Sequence, residues 1–208
     1  MMNYKHLIFD IDGTLVDNER AVIATWQQTL RELTGKEYAE EELGFVLGIP
    51  GETTMRKLGM ADPAEAFKVW GKNFVSHKSE IRLFPGIEET LSALEERGLA
   101  LGIVTSRTRD ELDNDYALGR IIGRFGTVVC VTDTVNPKPH PDPLLTYLGK
   151  CHIAPQDVLY IGDSMYDARC ADAAGVDFGW AQWGGYSAAD SVVSRFVFCA
   201  PGEILDAV

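Results

Sequence analysis

The segment Lys5-His6-Leu7-Ile8-Phe9-Asp10-Ile11-Asp12-Gly13-Thr14 decides the fold, because a short apolar run enters a glycine turn that carries two carboxylates. The run from Lys5 to Asp10 has no polar alternation, so it reads as a strand covered on both faces, as in parallel sheets. Further runs of this kind lie at Leu99 to Thr105, Thr127 to Val131, Asp157 to Gly162 and Val176 to Gln182. Helical stripes fit between them. Ile87, Leu91 and Leu94 stop at Gly98, and Met165, Ala168, Ala171 and Ala174 stop at Gly175. Each glycine stands where a helix commonly ends in a left-handed residue. The alternation predicts an α/β fold with a doubly wound, Rossmann-like parallel sheet.

One interval breaks that rhythm. Val22, Trp26, Leu30 and Leu33 share a helix face closed by Gly35, and Phe67, Trp70, Phe74 and Ile81 repeat the pattern. No strand signal interrupts them. The expectation is an α/β core from residues 1–15 and 82–208, with residues 16–81 inserted as an α-helical cap domain. A chain of 208 residues is roughly 1.4 typical domains, which suits one domain with an insertion.

Composition narrows the partners. An apolar share of 46% and a charged share of 24% allow a real core and exclude general disorder. With 31 acidic against 19 basic residues the net charge is −12, which argues against non-specific nucleic-acid binding. A small anionic ligand stays compatible, since a metal or a few local cations override the global field. No apolar run approaches the ~20 residues needed to cross a bilayer, so no membrane partner is expected. Met1-Met2-Asn3-Tyr4 runs straight into the first strand, leaving no room for a signal peptide. Cys130, Cys151, Cys170 and Cys199 form no CxxC pair and show no zinc spacing. They read as buried free thiols in a reducing compartment, so a cytoplasmic protein is expected. The oligomeric state is unreadable, and a monomer is compatible.

The chemistry concentrates at strand ends. In open α/β sheets ligands bind beyond the carboxyl ends of the strands, where Asp10 and Asp12 project. A carboxylate there can attack phosphorus and form an aspartyl-phosphate. A second one can protonate the leaving oxygen and later take a proton from water. Gly13 permits close backbone approach to a phosphoryl group. A capped turn is the blander explanation of Asp and Gly, but D-x-D-G-T arises by chance in only roughly a few per thousand chains of this size. Thr105 and Ser106 end another strand just before a helix start near Thr108, where backbone N–H groups attract anions. Lys138 sits in a loop holding Pro137, Pro139, Pro141 and Pro143, and its ammonium would keep a nearby nucleophile ionised. Asp163 emerges after the strand that ends Tyr160-Ile161-Gly162. Asp10, the main-chain carbonyl of Asp12, and Asp163 form an oxygen set suited to Mg²⁺, with Asp167 either a direct ligand or a partner of one.

Asp10-Ile11-Asp12-Gly13-Thr14 resembles the first motif of the haloacid dehalogenase (HAD) superfamily of aspartate-nucleophile phosphohydrolases. Thr105 looks like its second motif, Lys138 its third, and Gly162-Asp163-Ser164-Met165-Tyr166-Asp167 its fourth, in the family's order. The resemblance covers essentially the whole chain and is nearest to the phosphoglycolate phosphatase-like branch with a helical cap. It implies a Mg²⁺-dependent phosphatase acting on a small phosphorylated metabolite, with Asp10, Asp12, Thr105 and Lys138 catalytic. Gly13, Ser106, Arg107 and Arg56 are candidates to bind phosphate or substrate, with Lys57 beside them. A cap of this kind closes over the site in the family and selects the leaving group.

Other readings are weaker. A phosphosugar mutase is expected to carry a basic residue in the cap loop near Gly48-Ile49-Pro50-Gly51-Glu52, where this chain has Gly51. Inorganic pyrophosphatase is a close alternative. Dehalogenation needs neither metal nor second acid, and a non-catalytic phospholigand module would not need every motif. Asp177-Phe178-Gly179 spells a kinase motif without its companion loops. His6, His77, His140 and His152 lack ligand spacing, Trp180 and Trp183 read as sheet-edge packing near Gly184-Gly185, and Glu88-Glu89 and Glu95-Glu96 as a solvated face.

Overall fold

The computed structural model describes residues 4–47, 49–115, 117–184 and 193–208. In chain order the strands are β1 (His6–Phe9), β2 (Val16–Asp17), β3 (Arg82–Leu83), β4 (Ala100–Val104), β5 (Thr127–Val129), β6 (Val158–Gly162), β7 (Asp177–Ala181) and β8 (Phe196–Phe198). The helices are α1 (Glu19–Thr34), α2 (Glu40–Leu43), α3 (Gly51–Lys57), α4 (Pro63–Phe74), α5 (Ile87–Glu96), α6 (Arg109–Asp113), α7 (Asp142–Cys151) and α8 (Met165–Ala174). The main sheet has six strands in the order β5-β4-β1-β6-β7-β8, and all its pairings are parallel. β2 and β3 form a separate two-stranded sheet.

The chain divides into two compact units, Met1–Asp17 with Leu83–Val208, and Asn18–Arg82. In the first, β1 lies at the centre. The chain moves outward from it through β4 and β5, then resumes on its other side with β6, β7 and β8. Such a reversal is a topological switch point and opens a crevice beyond the carboxyl ends of β1 and β6. In register, Ile8 of β1 faces Gly102 of β4 and Tyr160 of β6. Those residues share one sheet face, covered by Leu144 and Tyr147 of α7 and Ala168 and Ala171 of α8. Tyr147 lies over Gly102, where any Cβ would collide with its ring. α8 owes its close approach to its alanines and ends at Gly175, whose φ of 70° needs glycine.

The second unit is helical and closes on its own core of Ile23, Trp26, Leu30, Leu43, Val46, Met55, Ala66 and Trp70. Phe67, Trp70 and Phe74 stack with ring centroids 5.2 and 4.7 Å apart, at the i, i+3 and i, i+4 spacings that bring helix side chains together. Two expected stripes differ in detail. Ile23 rather than Leu33 completes the buried face of α1, and Leu33 in the last turn is exposed. Ile81 lies outside α4, separated from it by a 3-10 stretch, Val75–Glu80.

Further departures from expectation follow from local packing. β8 is three residues long and half open, too short for an apolar run to show. Cys130 and Cys170 are buried, whereas Cys151 is half-buried and Cys199 exposed, because Cys199 follows the edge strand. Trp180 is interior, on β7 inside β8. No helix among the described residues is long and apolar enough to cross a membrane.

Candidate active site

Asp10 follows β1 directly and is held there by its own N–H, which donates to the carbonyl of Ile161 at 2.9 Å. The turn after it is tight. Gly13 has φ 75°, and a Cβ there would collide with the Asp163 carboxylate, so glycine lets the turn lie against β6's end. Gly184 packs on the other side under the same constraint, with Gly13 and Asp163 as its near neighbours. Trp183 Nε1 donates to the Thr14 carbonyl at 2.9 Å, which places this indole against the turn rather than on a sheet edge. Gly185, paired with Gly184 in the sequence reading, lies outside the described residues, as do Gly48 and Met1 to Asn3.

The turn, the proline-rich loop and the start of α8 bring Asp10, Lys138, Asp163 and Asp167 together, all buried. Lys138 Nζ lies 2.9 Å from Asp10 Oδ1 and 2.6 Å from Asp167 Oδ1. Oxygens of Asp10, Asp163 and Asp167 all fall within 4.8 Å of one another. Three carboxylates around one ammonium leave a surplus of negative charge out of water. Burial therefore pushes Asp10 up to about 7, with the Asp167 and Asp12 charges adding to the rise and Lys138 opposing it. Asp163 is likewise raised by burial and by the Asp167 and Asp10 charges. Burial alone would lower Lys138, yet the two carboxylates outweigh it and hold the amine protonated.

Asp167 is fully engaged within the chain. Its Oδ1 accepts from Lys138 and, at 2.6 Å, from the Tyr160 hydroxyl. Its Oδ2 accepts from Ser164 N at 3.1 Å and from Ser164 Oγ, closing the capping box of α8. With both oxygens taken twice, Asp167 suits the role of partner to a metal-binding group better than that of ligand. Asp163 Oδ1 accepts a long bond, 3.3 Å, from the Thr14 hydroxyl. Hard oxygen donors with excess negative charge fit a divalent cation such as Mg²⁺.

A second cluster adjoins the first. Arg107 Nε donates to both oxygens of Asp12 at 3.1 and 3.0 Å, its NH2 to Asp12 Oδ1 at 2.6 Å, and its NH1 to Asp115 Oδ2 at 2.5 Å. The guanidinium is largely out of water, which disfavours its charge, yet the Asp12 and Asp115 carboxylates outweigh this and raise its pKa. Asp115 Oδ1 also accepts the N–H of Leu118 at 2.9 Å. Thr105, buried at the end of β4, accepts the N–H of Arg107 on its hydroxyl at 3.1 Å. Ser106 between them is half-buried. Thus Arg107 faces two carboxylates of the chain itself. Arg56, on α3 in the helical unit, is exposed and lies 3.8 Å from Glu52.

A sequence profile of haloacid dehalogenase-like hydrolases matches residues 7–181, from β1 through β7. The chain belongs to the haloacid dehalogenase-like hydrolases. It is a hydrolase of the phosphatase kind. A Lactobacillus plantarum protein assigned as a phosphoglycolate phosphatase is 35% identical, with all of each chain covered and a TM-score of 0.90. Pyrophosphatase PpaX from Anoxybacillus flavithermus is 26% identical over 88% of this chain and 85% of its own. A haloacid dehalogenase-like hydrolase from Bacteroides fragilis, 24% identical with a TM-score of 0.83 over 97% of this chain and 99% of its own, shares the fold.

Two residues of this hydrolase's site had no signal of their own in the sequence. Tyr160 reads as one more apolar strand residue, and Asp115 has nothing to mark it. Only contacts between distant segments reveal them.

Proposed function

We propose that the chain is a Mg²⁺-dependent phosphatase that hydrolyses a small, phosphoglycolate-like phosphate monoester through an aspartyl-phosphate on Asp10. The observation that supports this best is the buried contact of Asp10 with Lys138 at 2.9 Å beside Asp163 and Asp167. Asp10 is the nucleophile: its free oxygen attacks phosphorus in line, the bond from phosphorus to the leaving oxygen breaks, and Asp12 gives that oxygen a proton. Water then attacks the phosphorus of the aspartyl-phosphate, Asp12 takes its proton, and Asp10 is released with inorganic phosphate. Lys138 and the Thr105 hydroxyl, with the amides after it, balance charge on the non-reacting oxygens. Gly13 and Ser106 lend backbone to the phosphoryl group, with Arg56 as a further substrate-binding candidate and Arg107 holding Asp12 in place. Mg²⁺, held by Asp10, the Asp12 carbonyl and Asp163 with Asp167 behind them, would supply positive charge opposite the incoming phosphoryl group. Residues 1–15 and 82–208 act as the catalytic core and 16–81 as the cap that selects the leaving group. The protein is read as cytoplasmic.

Pyrophosphate is the second reading, supported by the curated relatives named PpaX, which are 26 to 28% identical. Release of phosphate from phosphoglycolate, other phosphate esters and pyrophosphate, each with Mg²⁺, orders these substrates. Asp10→Asn keeps the shape of the side chain and removes the attacking charge, so turnover should fall by about four orders of magnitude or more. A folded Asp10→Asn protein that still releases phosphate at a tenth of the original rate rejects the nucleophile assignment.

A further inference from the structure

We infer that Tyr160 is a positioning residue: its buried hydroxyl fixes Lys138 and Asp167 relative to one another at the end of β6 and so sets the geometry of the Asp10 site. This rests on the reading of Asp10, Lys138 and Asp163 given above. The Tyr160 hydroxyl lies 3.2 Å from Lys138 Nζ, 2.6 Å from Asp167 Oδ1 and 3.2 Å from the carbonyl oxygen of Val104. Tyr160 stands on β6 in register with Ile8 of β1, so to reach Val104 on β4 its side chain crosses above β1. One hydroxyl thereby joins the loop bearing Lys138 to the helix bearing Asp167, beside the carbonyl of Val104 at the end of β4.

Donor counting shows why the hydroxyl matters. An ammonium has three N–H bonds, and Lys138 aims them at Asp10, Asp167 and Tyr160, all buried. The hydroxyl accepts one and donates its single O–H to Asp167, the shortest of its contacts, which leaves the Val104 carbonyl a neighbour at 3.2 Å. A phenyl ring at position 160 would keep the tilted contact with Phe178, whose centroid is 6.0 Å away, and lose only the oxygen. Lys138 would then have a donor without a partner, and buried donors are costly to leave so. The amine is expected to settle more closely on Asp10, in competition with a divalent cation there.

The test compares the full-length wild type with Tyr160→Phe and with Tyr147→Phe. Tyr147 is another buried phenol on the same face, bonded at 3.0 Å to His6 rather than to the site. Tyr160→Phe should lower kcat roughly ten- to a hundredfold and leave KM within about threefold, as loss of an outer partner of a metal site does. Mn²⁺ affinity, read by electron paramagnetic resonance without turnover, should fall roughly tenfold in the same variant. Tyr147→Phe should change neither. In a double-mutant cycle with Asp167→Asn, the kcat effect of Tyr160→Phe should shrink, because the group it acts through is altered. A Tyr160→Phe protein with wild-type kcat and Mn²⁺ affinity, or effects additive with Asp167→Asn, overturns the inference. Wild-type protein that releases phosphate from no ester or anhydride instead overturns the phosphatase reading, and the Mn²⁺ titration still decides the role of Tyr160.

Discussion

Two ionic clusters lie beside one another at the strand ends; both hold more carboxylates than cations, but the surplus is larger and more deeply buried in the first. Around Lys138, one ammonium faces Asp10 and Asp167, with Asp163 close by. Around Arg107, one guanidinium faces Asp12 and Asp115 and is bonded on three of its nitrogen positions. The first cluster keeps a carboxylate, Asp163, which Lys138 eases electrostatically while the Asp167 and Asp10 charges outweigh that help. The second spends its donors within the chain. Ionic groups out of water are stable only when paired and hydrogen-bonded. Three carboxylates to one ammonium are therefore a place for a ligand to complete, and two carboxylates gripped by one guanidinium make a clamp.

Removing Lys138 should separate the two most sharply. Lys138→Met leaves three neighbouring acids with no cation, a change that costs on the order of 3–5 kcal/mol of stability in buried pairs. Turnover should fall about a thousandfold, since loss of one preorganised charge that meets the transition state costs this much. Urea unfolding and phosphate release measure the two effects. A variant within tenfold of wild-type turnover would place Lys138 outside the reaction.

The next effect concerns the ligand that the first cluster lacks. A divalent cation that binds only the folded protein at a hundred times its dissociation constant adds about 2.7 kcal/mol. For a chain of this size, that corresponds to a rise in melting temperature on the order of 5–10 °C. Mg²⁺ should therefore raise the thermal midpoint of the wild type, chelation should reverse the rise and stop turnover, and Asp163→Asn should shrink both responses. A midpoint indifferent to Mg²⁺ and to chelator would contradict the incomplete cluster.

Much of this arrangement was legible because it depends on residues adjacent in sequence. Apolar runs without alternation marked the inner strands, since a strand covered on both faces cannot hide its composition, and their ends lie within two residues of the observed ones. Asp10 and Asp163 could be placed together because each directly follows such a strand, and strands of one parallel sheet end at one edge. What was not legible depends on partners far apart. Asp12 meets Arg107 across 95 positions, and Tyr160 reaches Val104 across 56. Nothing in Val158-Leu159-Tyr160-Ile161 separates a phenol that packs from one that bonds. β8 escaped notice because an edge strand of three residues buries only one of them fully.

The smallest expected effect sharpens the contrast most. Asp115→Asn keeps the shape of a side chain that accepts from Arg107 and from the Leu118 N–H, and removes its charge. A hydrogen bond to a charged group contributes about 1.5–3 kcal/mol, so the midpoint should fall by several degrees. Arg107 would still grip Asp12 through Nε and NH2, and turnover should change by less than tenfold. That outcome is the reverse of Asp10→Asn, where one charge is removed from an equally buried acid and turnover is lost. Equal losses of turnover in the two variants would merge the clusters into a single functional unit, with the Arg107 clamp acting directly on the proton transfer of Asp12.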